Sequence, residues 1–208
     1  MKDIKLKNVQ EACLDGIIKS FKEYNEWSEE KLWNAPESLL MVNIAKKIFK
    51  SKGKKYVTIE DNVKYILKMA ERRNKGRLPE KMRPKGRFDI VLWSYDKYEE
   101  GLPVGIIEVK HNVKGFSRIK KDIDRLVSVL EQDSKIEFGI TTFYIVCDNK
   151  SKHKEIVEQK IDKIFKQVKE YISTSNITIT SDNKKIIKES EDNKSTSFAV
   201  LFTLEKNK

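Results

Sequence analysis

The stretch Gly86–Asn112, GRFDIVLWSYDKYEEGLPVGIIEVKHN, holds two apolar runs joined by a polar, acidic loop, the pattern of a β-hairpin. Each run carries a carboxylate inside its apolar stretch, Asp89 in the first and Glu108 in the second, and Lys110 follows two residues further on. In an antiparallel pair, residues equidistant from the loop centre face each other. The midpoint of Asp89 and Glu108 falls between Tyr98 and Glu99, in the middle of the loop expected from about Ser94 to Pro103. A symmetric register therefore predicts that the two carboxylates are cross-strand neighbours, with Cβ atoms about 5 Å apart. Alternation along the strand sets Lys110 on the same face as Glu108 and sends His111 to the opposite one, where a structural role is expected.

Two like charges facing each other destabilise a strand pair unless something positive stands between them. Magnesium is the natural candidate, because it prefers hard oxygen ligands, takes one or two carboxylates and keeps several waters that a phosphate oxygen can replace. Asp89 and Glu108 are the expected ligands, the carbonyl of Val109 lies in the same corner, and manganese would be an acceptable substitute. Lys110 would then stabilise negative charge on a phosphate or position the attacking water. The hairpin thus predicts a metal-dependent phosphodiesterase centre at one of its ends.

Working outward, apolar residues between Val9 and Trp33 recur at helical intervals, so residues 1–33 are expected to form a helical layer packed on a core. Asn34 and Pro36 then mark the start of a second helix carrying Leu39, Leu40, Val42, Ile44 and Ile48, with Glu37 in its first turn. A short strand at Tyr56 to Ile59 precedes a helix lined by Val63, Ile66, Leu67 and Ala70. After the hairpin, Ile119, Ile123, Leu126 and Leu130 predict an amphipathic helix, and FGITTFYIVC a buried strand. Another amphipathic helix is expected from Lys154 to Ile172. The remainder, 173–208, reads as a small β tail whose runs Ile177 to Thr180 and Phe198 to Leu204 add edge strands, with a polar connection or hairpin between Ser181 and Thr196. The fold class is α/β, a central mixed sheet flanked by helices, with its core over 34–172.

At Asp89 and at Glu108-Val109-Lys110 the chain resembles the PD-(D/E)XK nuclease superfamily, which has the restriction-endonuclease-like fold. Asp89 stands at the first-motif aspartate, with Phe88 where the superfamily has proline, and Glu108, Val109 and Lys110 read as its E-x-K. The resemblance implies a core of helix, three-stranded meander, helix and a further strand. It also implies a glutamate in the first core helix that joins the metal site, for which Glu37 is the matching residue.

The whole chain has 208 residues and a formal charge of +11, with 38% hydrophobic and 36% charged residues, a balance compatible with one folded domain and an anionic partner. The placement of charge sharpens this. Lys68 to Arg87 holds nine basic residues against two acidic ones directly before the hairpin. Arg72, Arg73, Lys75, Arg77, Arg83 and Lys85 are expected to contact a nucleic-acid backbone, with Arg118, Lys121 and Arg125 on the far side of the site. DNA is the expected partner, with RNA left open. Cys13 and Cys147 are isolated and form no metal or disulfide pattern. The N-terminus lacks the apolar core of a secretory signal, and no run is long enough to span a bilayer, so a cytoplasmic protein with no membrane partner is expected. A catalytically silent nucleic-acid-binding scaffold of the same fold is the alternative reading.

Overall fold

A computed structural model describes residues 4–30, 32–73, 76–95, 101–147, 153–186 and 196–207. It contains five helices among the described residues: α1 (Leu6–Ser28), α2 (Glu37–Lys50), α3 (Val63–Met69), α4 (Lys120–Leu130) and α5 (His153–Tyr171). The strands are β1 (Lys55–Asn62), β2 (Arg87–Tyr95), β3 (Gly101–Lys110), β4 (Phe138–Cys147), β5 (Ile177–Lys185) and β6 (Thr196–Lys206). They form one mixed sheet in the order β1-β2-β3-β4-β6-β5, in which only β3 and β4 run parallel. The α/β class and the helix-flanked mixed sheet agree with the sequence reading.

Alternation along each strand feeds two apolar layers. On one face Phe88, Val91, Ile106, Phe143 and Phe202 pack with α3, α4 and α5 residues such as Ile66, Ile123 and Ile161. On the other, Ile90, Leu92, Ile107, Val109 and Leu201 pack with α1 and α2 residues such as Leu14, Ile17, Leu40 and Ile44. The N-terminal segment therefore covers one whole face of the sheet. It approaches α2 closely at Gly16, where an added Cβ would stand 2.5 Å from the Ile44 Cα.

The C-terminal segment departs from its expected place at the edge. β6 is interior: it pairs with β4 from Phe138 opposite Glu205 to Cys147 opposite Thr196, and with β5 on its other side. Its run Phe198, Ala199, Val200, Leu201, Phe202 is buried at every position, because both faces of an interior strand are covered by helices. The polar connection expected there proves to be largely strand at its start, since β5 continues to Lys185; residues 187–195 lie outside the described set. Among the described residues no helix is long and apolar enough to cross a membrane. Cys13 is free and fully buried, and burial pushes its thiol far above the ordinary range; the Cys147 side chain lies outside the described residues.

Candidate functional site

The site forms where β2 and β3 part. Their backbone pairing runs to Ile90 opposite Ile107, so Asp89 and Glu108 are the next pair in register. Beyond that point β3 keeps only β4 as a neighbour, with Glu108, Val109 and Lys110 aligned to Thr141, Thr142 and Phe143. Asp89 bridges the opening itself, accepting the Val109 N–H at Oδ2 over 2.8 Å. The observed register, continued one residue past its last pair, is the one that the facing of the two carboxylates requires. It depends on a β-bulge between Leu92 and Trp93: near the loop Trp93 faces Pro103, and past the bulge Leu92 faces Gly105. The loop tip, 96–100, lies outside the described residues.

Four oxygens from four segments close around the Lys110 ammonium. Its Nζ lies 3.0 Å from the Val109 carbonyl oxygen, 3.6 Å from Glu37 Oε1, 4.0 Å from Asp89 Oδ2 and 3.6 Å from Asp122 Oδ2. Glu37 reaches the cluster because it opens α2, and its other oxygen accepts the His111 N–H at 3.0 Å. Burial works against the Lys110 charge, but Asp122, Asp89, Glu37 and Glu108 together outweigh it and push its pKa above the ordinary range. Lys110 is therefore a cation at neutral pH.

Glu108 is in a different position. It is 1% exposed, and its Oε1 accepts a hydrogen bond from Arg125 Nη1 at 2.7 Å. Burial first and the Asp89 charge second push its pKa up to about 8, while Arg125 pulls the other way. Arg125 also donates to the Arg87 carbonyl at 2.7 Å, which anchors it to the start of β2.

Asp122 and Arg125 lie three residues apart on α4, and Glu108 and Lys110 two apart on β3, so two acid–base pairs cross between helix and strand. Asp122 is as buried as Glu108. It stands 3.5 Å from Arg83 Nη2 as well as near Lys110, yet among the described residues neither of its oxygens has a hydrogen-bond partner. Burial raises its pKa against the pull of Lys110 and Arg83. Sequence reasoning did not single out Asp122. The signal was its position in the apolar stripe of α4, one turn before Leu126 and next to Ile123, where a charge has no solvent.

The other expected residues are distributed as follows. Arg125 is inside, 3% exposed, with its charge committed to Glu108 instead of projecting outward. Arg118 and Lys121 are exposed before and at the start of α4. Arg72 donates to Gln132 at 2.9 Å, Arg73 is exposed, and Arg77 pairs with Glu80 at the surface. Arg83 touches Asp122, Lys85 is exposed, and Lys75 lies outside the described residues. His111 faces the α1–α2 side, its Nε2 within 3.0 Å of the Tyr144 hydroxyl and 2.9 Å of the Leu32 carbonyl, a structural placement as expected.

Among the described residues no group of three or more His, Cys, Asp or Glu forms a ready cage for a metal. Magnesium does not need one, since it keeps most of its waters and takes one or two carboxylates. The donors here are all hard oxygens, and the buried Asp122 carboxylate, between Arg83 and Lys110, has no hydrogen-bond partner among the described residues. In donor chemistry the residues fit such an ion. Comparison of the chain with protein families, with curated proteins and with solved structures gives no match.

Proposed function

We propose that this protein is a magnesium-dependent nuclease that hydrolyses phosphodiester bonds of DNA, acting in the cytoplasm against foreign DNA or in DNA repair. The observation that carries the reading is the convergence of Glu37, Asp89, the Val109 carbonyl and Asp122 on Lys110, beside a buried Glu108, at the rim of a basic segment. The order α2, β1, α3, β2, β3, α4, β4 supports a restriction-endonuclease-like core, because with α3 as an insertion between β1 and β2 it follows the helix, three-stranded meander, helix and strand that the resemblance implies.

Asp89, Glu108 and the Val109 carbonyl would hold the ion, with Glu37 as an auxiliary ligand from α2. Bound there, it would lower the pKa of the attacking water and offset charge on the phosphate. The water oxygen gives up a proton to solvent and forms a bond to phosphorus as the bond to the leaving oxygen breaks, and that leaving oxygen takes a proton from solvent. Lys110 enters as an ammonium and donates to a phosphate oxygen as negative charge grows. Asp122 holds Lys110 against withdrawal, and Arg125 fixes Glu108 from the same helix. Exposed Arg118, Lys121, Arg73, Arg77 and Lys85 neutralise the backbone on either side. A second copy of the chain or a partner protein would supply sequence specificity.

Incubation of plasmid, linear duplex and single-stranded DNA with the protein in Mg²⁺, Mn²⁺ or EDTA tests the reading. Cleavage is expected with either metal, none in EDTA, and a loss of at least about 100-fold in Asp89→Ala and Lys110→Ala. DNA bound but never cut under any metal would sink it. That outcome would favour a non-cleaving nucleic-acid scaffold of the same fold, a reading with one observation behind it: Lys110 and Arg125 already neutralise the carboxylates from within.

A further inference from the structure

Next to the site, on the side of α3, lies a cavity of about 870 Å³. Its walls are α3, the loop that follows it and the turn Arg83–Gly86 leading into β2. Six basic side chains line it, Lys64, Lys68, Arg72, Arg77, Arg83 and Lys85, against the single carboxylate of Glu80. Between them Leu67, Leu78 and Pro84 supply apolar surface. Arg72 and Arg83 are held by Gln132 and Asp122, and Arg77 lies beside Glu80 at the exposed surface. Lys64 and Lys68 are exposed one helical turn apart on α3, on the side of Leu67.

The cavity is joined to the site by a shared wall. Arg83 lines the cavity while its guanidinium reaches Asp122, which in turn faces Lys110. Gly86 also lines the cavity, and a Cβ there would come within 3.1 Å of Arg125 Nη2, so the wall is one backbone thick. Arg83 and Asp122 thus link the cavity wall to the Lys110 ammonium.

From the combination of concavity, cationic lining and apolar surface we infer that the cavity takes an unpaired nucleotide, so that the strand entering the site is single-stranded. This rests on the nuclease reading for its substrate and adds to it the state of that substrate. A duplex presents phosphates on the outside of a rod and keeps its base faces stacked within, so it meets a flat basic surface well and a concave pocket poorly. An unpaired nucleotide offers an anionic phosphate and an exposed apolar base face together. The volume is within the range of small-molecule sites, about 300–1,000 Å³, which suits one or two nucleotides and no double helix.

The test is fluorescence anisotropy in EDTA, with a labelled oligothymidylate of about 16 nucleotides and a blunt duplex of equal length. The single strand is expected to bind at least about tenfold more tightly, a difference of about 1.4 kcal/mol. In the Lys64→Gln/Lys68→Gln variant, whose changes are exposed on α3, the single-strand slope of log K against log salt should flatten by about 1.4. Its melting temperature, read alongside, should stay at the wild-type value. Duplex binding equal to or tighter than single-strand binding overturns the inference, as does an unchanged salt slope in the variant. Because no metal is present, these outcomes are separate from cleavage: single-strand preference without cutting in any metal sinks the nuclease reading alone, and metal-dependent cutting with duplex preference sinks the cavity's role alone.

Discussion

At the scale of single residues, the arrangement on β3 is costly by itself. Glu108 is a carboxylate with almost no access to water, beside the negative charge of Asp89, and both conditions favour its neutral form. Its pKa is pushed from an ordinary 4.5 up to about 8, so between those values the folded chain holds a proton that the unfolded chain has released. Stability from this group is complete below the lower value and is lost as pH rises through the upper one. Glu108→Gln removes the titration while keeping an acceptor for Arg125. In EDTA, the melting temperature of the variant relative to wild type should therefore climb by at least about 4 °C between pH 5 and pH 8.5. A constant difference across that range would mean that Arg125 keeps Glu108 ionised throughout. The same logic explains why Asp89, Glu108 and Lys110 were legible in the sequence and Asp122 was not. Charges in alternating strands stand out against apolar neighbours, whereas a charge on a short helix looks solvated until its partner across the sheet is known.

The elements bring those residues together through two devices, one visible beforehand and one hidden. Helix α2 carries Glu37 at its first turn, and its start was marked by Asn34 and Pro36 in the sequence. The bulge between Leu92 and Trp93 was hidden, yet it decides the site. The register next to the loop, continued without the bulge, would place Asp89 opposite Ile107, and a one-residue slip turns a side chain to the other face. A hairpin centred between Tyr98 and Glu99 has the register seen from Ile90 to Leu92, whereas the pairs next to the loop, Trp93 to Tyr95, are offset from it by one residue. Placement of α2 depends in turn on its contact with α1. Gly16 is interior to α1, where helix propensity alone would make Gly16→Ala stabilising by about 1 kcal/mol. The new methyl would meet the Ile44 backbone at 2.5 Å, and backbone does not yield as a side-chain end does. Overpacking should win, destabilising the chain by about 1–3 kcal/mol and lowering the melting temperature by several degrees. A rise in melting temperature would show that the two helices can separate without loss.

In the whole molecule, one sheet serves both apolar layers, and its strands are linked so that the C-terminal segment supports a site to which its described residues contribute no side chain. Once β2 has departed, the backbone of Glu108, Val109 and Lys110 is held in register by β4, with Asp89 accepting the Val109 N–H from the other side, and β4 is held on its other side by β6 along its full length. The run of apolar residues in β6 carried the signal for an interior strand in the sequence, but an interior strand and an edge strand differ only in what covers them, which a single chain segment does not reveal. Phe198, Val200, Phe202 and Leu204 fill one layer, and Ala199 and Leu201 the other. At about 1.5–3 kcal/mol for each large side chain buried, their removal is comparable to the whole stability of a domain, about 5–15 kcal/mol. A chain ending before Ser173 would also leave β4 as a long apolar edge open to association. It should show no cooperative melt and elute as aggregate on size exclusion. The milder Phe202→Ala should keep the fold but lose about 3–5 kcal/mol in denaturant unfolding. A truncated chain that melted cooperatively as a monomer would establish that β5 and β6 are an appendage, and that β3 and β4 hold the site between them unaided.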